Sequence, residues 1–133
     1  MIRNTLSQFE LDFFEALVKR NPRFVDAVSA LAESYTATGH YEKGLEMDER
    51  LSELCPTDGF VFYNLGCSYA LLNRITEALG ALEKAVQLGY RDWKYMQRDQ
   101  DLAILAGQPR FMELLQKLRE SSEHGTGKGN SKA

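Results

Sequence analysis

Histidine, cysteine and paired carboxylates most often carry proton transfer, nucleophilic attack and metal ligation. This chain has few of them. Its histidines are His40, beside the turn residue Gly39, and His124, near the C-terminus. Neither neighbours a candidate nucleophile. Its cysteines are Cys55 and Cys67, with no further Cys or His at a metal-binding interval. Cys67 lies in an apolar stretch and reads as a small packing residue. Asp99 and Asp101 would point to different faces of a helix, so they are not expected to pair as acid and base. The segment Gly125-Thr126-Gly127-Lys128-Gly129 lacks the glycine–lysine–hydroxyl order of a phosphate loop, and no strand pattern precedes it. No catalytic residue, metal or cofactor is therefore expected. The chemistry to look for is binding. Phe60 and Tyr63 suit it best, because they stand outside the helical stripe of Phe62, Leu65 and Tyr69. Packing under the first unit of helices, toward the N-terminal side, is the competing role for both.

A chain of 133 residues holds about one domain. Its hydrophobic fraction of 44% is ordinary for a folded protein. The net charge of −3 argues against nucleic acid as the main partner, because phosphate binding needs a clustered positive field. It argues equally against an anionic membrane surface. The start, Met1-Ile2-Arg3-Asn4-Thr5, runs directly into a charged amphipathic stretch, so no secretion signal is expected. No uncharged run is long enough to cross a bilayer. Two cysteines without a disulfide framework suggest reduced thiols and a cytoplasmic protein.

The elements that must position these side chains are helices. Leu6, Phe9, Phe13 and Leu17 share one helical face over Thr5 to Arg20, widened by Ile2, Phe14 and Val18. Asn21-Pro22 ends that helix and predicts the next from about Pro22 to Thr38. Gly39 then caps it. Further helices are predicted over Tyr41 to Leu54, Gly59 to Leu72 with Asp58 as N-cap, and Thr76 to Leu88. Asp92 to Ala106 reads as one broken helix or two short ones, and Pro109 to Glu120 as the last. The tail from Ser121 to Ala133 has no large apolar residue and is expected to be disordered. No strand alternation appears.

A repeat underlies these elements. Leu31 and Leu65, Tyr35 and Tyr69, Pro22 and Pro56, and Leu54 and Leu88 each stand 34 residues apart. Gly39, Asn73 and Gly107 share one column. A fixed period near this length means helix pairs stacked side by side.

Phe62-x-x-Leu65-Gly66-x-x-Tyr69, followed by Ala78-x-x-x-Leu82 and Ala85, resembles a tetratricopeptide repeat (TPR), with Phe62 for the usual tryptophan and Leu82 for the usual phenylalanine. Gly66 and Ala78 would be small where the two helices of a unit cross. Val28, Leu31, Ala32 and Tyr35, then Gly44, Leu51 and Pro56, fit a weaker preceding unit. Asp48 stands there where an apolar residue is usual, which suggests a displaced helix or a wet face. Trp93 through Leu118 resembles the degenerate closing unit of such arrays. The resemblance implies an all-α, right-handed α-solenoid of antiparallel helix hairpins, about seven helices in all. Its units would be residues 5–21 (incomplete), 22–56, 57–90 and 91–120 (capping), within a single domain of residues 1–120, with 121–133 as the tail.

The resemblance also implies a non-enzymatic adaptor or co-chaperone-like module that holds a partner peptide or helix in its concave face. That groove would draw on Ser29, Glu33, Phe60, Tyr63, Asn64, Cys67, Lys94, Arg98 and Asp101. Asn64, Lys94 and Arg98 match three positions of the clamp that holds chaperone C-terminal carboxylates. Ser29 replaces its lysine, however, and the carboxylate of Glu33 would repel such a ligand. The alternative surface is the N-terminal helix. Its apolar face is wider than one neighbour can cover, so Phe9, Phe13 and Val18 are candidates for contact with a second copy of the chain.

Overall fold

Ser7 starts the first helix with a capping box. Its hydroxyl accepts the Glu10 amide at 3.1 Å, and its own amide donates to Glu10 Oε1 at 3.0 Å. The computed structural model describes residues 5–132, with side chains over 5–123. Ile2 and His124 thus fall outside the described side chains. Helix α1 is Gln8–Arg20 and α2 is Val25–Ala37. Pro22 was expected to open α2, but it sits in the turn before it, which the Phe24 amide closes by donating to the Asn21 carbonyl at 3.1 Å. Helices α3 (Tyr41–Leu54), α4 (Gly59–Leu71) and α5 (Ile75–Gln87) follow. Asp58 caps α4 as expected, accepting the Phe60 amide at 2.9 Å. The degraded stretch divides into α6 (Trp93–Arg98), capped by Asp92, and a 3₁₀ helix, Gln100–Leu105, capped by Asp99.

The last helix, α7, spans Pro109–Lys132. The backbone of 121–132 is therefore helical where composition suggested disorder. Once a helix exists, extending it fixes one residue per bond gained, and the Gln116–Glu120 hydrogen bond supports the turn just before this segment.

The period is visible in the turns. Gly39 and Asn73 take positive φ, 84° and 61°, at the ends of α2 and α4. The next amides, His40 and Arg74, reach back to the Tyr35 and Tyr69 carbonyls at 2.8 and 2.9 Å. Gly89 ends α5 in the same way. Gly107 shares their column but not their conformation, because the 3₁₀ helix ends in a tighter turn with Gln108 donating to the Leu105 carbonyl.

The period is also visible between helices. Tyr35 Oη donates to Glu15 Oε2 at 2.5 Å, and Tyr69 Oη donates to Glu49 Oε2 at 3.0 Å. The two tyrosines make the same bond to the preceding unit, 20 residues back in each case. Within the hairpins, Gly44 and Gly66 allow close crossing. A Cβ on Gly66 would lie 2.8 Å from the Leu82 side chain, and one on Gly44 would lie 2.5 Å from Thr36 Oγ1. Among the described residues, every regular element is helical. The helices form a stack of antiparallel hairpins, α2 with α3 and α4 with α5, flanked by α1 on one side and by α6, the 3₁₀ helix and α7 on the other.

Burial divides the core in two. Val18, Val28, Leu31, Tyr35 and Leu51 anchor the N-terminal cluster, while Leu82, Met96, Leu102, Leu105 and Leu118 anchor the C-terminal one. Leu45, Leu65 and Ala81 form a small cluster of their own. Asp48 corrects the sequence reading. It is neither displaced nor wet but 5% exposed, and it accepts Ser68 Oγ at 2.5 Å across the α3–α4 junction. The burial cost of a carboxylate is offset by a charge-assisted hydrogen bond.

Candidate functional site

Helices α2 and α4 and the α6–3₁₀ junction line one side of the stack and enclose a trough of about 620 Å³. That volume lies in the range of ligand sites. Ser29 and Glu33 come from α2, and Phe60, Tyr63, Asn64 and Cys67 from α4, with Asp101 from the 3₁₀ helix. Seven of the sequence-predicted groove positions therefore meet in one place. Lys94 and Arg98 do not line it. Their cationic groups lie over the rings of Trp93 and Tyr95, at 5.8 and 5.6 Å from the centroids.

The two expected aromatic anchors part company. Phe60 is 70% exposed, with its ring edge-on to Tyr90 at 5.7 Å. Tyr63 is buried. Its ring stacks on Tyr90 at 4.4 Å and tilts against Tyr95 at 6.2 Å. Its hydroxyl donates to Asp99 Oδ2 at 2.6 Å. Tyr63 is thus the floor of the trough, not a free anchor, and it packs toward the C-terminal side rather than under the first unit. Cys67 is buried beside it, its Sγ 3.7 Å from the same carboxylate oxygen.

Asp99 is the residue that sequence reasoning missed. It ends α6 and caps the 3₁₀ helix, with Oδ1 accepting the Asp101 amide at 3.0 Å. The sequence reading put Asp99 and Asp101 on different faces of a helix, within a stretch expected to hold one broken helix or two short ones. The helix breaks between them, so their carboxylates converge. Cys67 Sγ and an oxygen from each of these carboxylates lie within 4.8 Å of one another. These three could offer ligand atoms to a metal ion. Asp99 already accepts bonds from the Tyr63 hydroxyl, the Cys67 thiol and the Asp101 amide, a donor set that fixes it as the lock between α4 and the closing unit. Burial raises the Tyr63 hydroxyl pKa well above the phenol range, with Cys67 and Asp99 adding to the effect. Tyr90 is raised for the same first reason, although the bond to Tyr63 opposes it.

The lining is acidic. Glu33, Asp48, Asp58, Asp92, Asp99 and Asp101 all reach it, and among the described residues no lysine or arginine does. The three matches to a carboxylate clamp are therefore reduced to Asn64 in this trough. Glu33 and Asn64 are exposed and make no hydrogen bond or ion pair among the described residues.

At the N-terminal end, Phe9 is 80% and Phe13 53% exposed, whereas Val18 is buried in the N-terminal cluster. Val18 therefore drops out of the expected self-association surface, because α1 turns that residue toward α2. Phe9 and Phe13 stay on the open face.

A stack of hairpins with a lined concave side is the arrangement of a TPR-like helical repeat. Comparison with solved structures bears this out. The chain superposes on MamA, known from a crystal structure, with a TM-score of 0.67 over 83% of this chain and 63% of that one, at 17% identity. Such a likeness shows the fold alone. In sequence, the chain is 36% identical over 90 residues to a chloroplastic protein of Arabidopsis thaliana. The match takes in 65% of this chain but spans only 27% of that protein's length. No family model matches the chain. No helix among the described residues is long and apolar enough to cross a membrane.

Proposed function

We propose that this chain is a non-enzymatic interaction module that holds a segment of a partner polypeptide in the trough between α2, α4 and the α6–3₁₀ junction. Exposed Phe60 carries this reading. A phenylalanine 70% exposed at the rim of a formed trough is held in place by its edge contact with Tyr90, and its other side stands open. Aromatic anchors of this kind dominate interface energies, at about 2 kcal/mol or more each. The units at 22–56, 57–90 and 91–120 act as one array, each supplying part of the lining.

The test uses Phe60→Ala rather than a change at Tyr63, which would disturb the core. Proteins captured by the wild-type chain should be lost from the variant while its melting temperature stays within about 2 °C. Identical captured sets would remove the trough from the reading.

A second reading has its own observation. Phe9 and Phe13 leave an apolar face open on α1, which suits packing of a second copy. Light scattering decides it, since a monomer at every concentration leaves the face without that role. The acidic charge and the two cysteine thiols support an aqueous, reducing compartment, and the cytoplasm is the simplest. The relative's chloroplastic name makes an organelle the rival, and imaging of a fluorescent fusion separates the two.

A further inference from the structure

We propose that the segment taken by the trough is basic, with an arginine side chain seated between the rim aromatics and the carboxylates. The inference rests on the trough reading above and names the chemistry of its ligand. Six carboxylates line the trough, and among the described residues no cationic side chain does. Of the two nearby cations, Lys94 lies over Trp93, outside the trough, and Arg98 lies over the ring of Tyr95, a lining residue, without lining the trough itself.

The carboxylates are not equally committed. Asp48 is buried on the Ser68 hydroxyl. Asp58, Asp92 and Asp99 each cap a helix by accepting an amide. A capping carboxylate keeps its charge and its remaining lone pairs, so it still contributes to the field. Glu33 has no internal partner among the described residues and lines the trough from α2. It is the residue whose charge the fold leaves unused. A row of like charges around a concave, partly desolvated site focuses a negative potential there. An acidic or neutral occupant would leave that repulsion standing, and a basic one removes it.

Aromatic lining narrows the choice among basic side chains. Phe60, 70% exposed, borders this space with no cation over its ring among the described residues, and Tyr95, which also borders it, already carries the Arg98 guanidinium over its ring at 5.6 Å. A planar guanidinium can stack on a ring while donating two parallel bonds to a carboxylate, which an ammonium cannot.

The experiment uses three labelled peptides of one length, with arginine, glutamine or glutamate at alternate positions of a Gly-Ser chain. Binding is read by fluorescence anisotropy across a salt series. The arginine peptide should bind about tenfold or more tightly than the glutamine one, less so as salt rises, and the glutamate one should not bind. Glu33→Lys should weaken the arginine peptide by about tenfold, since a like charge then faces it. Glu53→Lys makes the same charge change on the exposed side of α3, outside the trough, and should matter little. Equal loss in both variants would mean diffuse surface attraction and would overturn the site. Equal binding of the arginine and glutamine peptides, both weakened by Phe60→Ala, would overturn the charge inference and leave the trough reading intact. Binding of the arginine peptide that neither Phe60→Ala nor Glu33→Lys affects, or no binding at millimolar concentration, would overturn the assignment of a basic ligand to this trough.

Discussion

Tyr63 shows how one side chain can be read correctly as special and wrongly as free. Its position off the apolar stripe of α4 marked it out, and the structure spends it on a bond to Asp99 and a stack on Tyr90. That use has a pH signature. A phenol in the unfolded chain titrates near pH 10. Tyr69 is pushed up to about 12, and Tyr35, Tyr63 and Tyr90 further still, in each case mainly by burial. A group whose folded pKa is raised contributes stability that is complete below pH 10 and is lost as pH climbs toward the folded value. Stability should therefore be level up to about pH 10 and fall above it. Tyr63→Phe removes one of the titrating groups and one donor to Asp99. Urea midpoints should place it about 1–2 kcal/mol below wild type at pH 8, with a shallower fall between pH 10 and 11.5. Equal slopes for the two proteins would mean that Tyr63 ionises as easily folded as unfolded.

At the scale of helices, the junction between α3 and α4 turns on a polar pair. Asp48 stands where this kind of repeat favours an apolar side chain, and Ser68 meets it from α4. Both are buried, at 5% and 2% exposure. Ser68→Ala removes a donor from a buried carboxylate and should cost about 2 kcal/mol or more. Adding Asp48→Leu should restore part of that loss, because the buried carboxylate that lost its Ser68 donor is then gone as well. Thermal denaturation of the single and double variants checks this. A double variant weaker than Ser68→Ala would show that Asp48 holds α3 by more than this bond. The same junction shows what the sequence made legible. Helix positions, the Gly66 crossing and the capping Asp58 followed from local rules, since each depends on residues within one hairpin. The Ser68 partner and the Tyr63–Asp99 bond depend on how separate hairpins stack. A break within Asp92 to Ala106 was expected, but not its place at Asp99, because a 3₁₀ turn beginning at a capping aspartate looks, in spacing alone, like continuing α-helix. The Glu15–Tyr35 and Glu49–Tyr69 bonds could have been found, because both pairs repeat at the period already seen in the tyrosines.

A linear stack has no single centre, and its stability should be graded along its length. Helix α4 touches α3, α5 and the 3₁₀ helix, whereas α1 packs principally on α2. Two large clusters carry the core, and the small group of Leu45, Leu65 and Ala81 lies between α3, α4 and α5. Amide hydrogen exchange should accordingly be slowest in α4 and α5, intermediate in α2 and α3, and fastest in α1. Low urea should release α1 first and the α2–α3 hairpin next, while the C-terminal cluster persists. Uniform protection from α1 to α7 would mean that the chain opens as one unit and that nearest-neighbour stacking is the wrong description. The same measurement bears on the second functional reading. A helix whose open face carries Phe9 and Phe13 gains a neighbour if two copies meet there. Protection of α1 would then rise with protein concentration while that of α4 and α5 stayed fixed, since mass action stabilises only what the partner touches. Protection of α1 that is the same at low and high concentration would remove self-association through this helix.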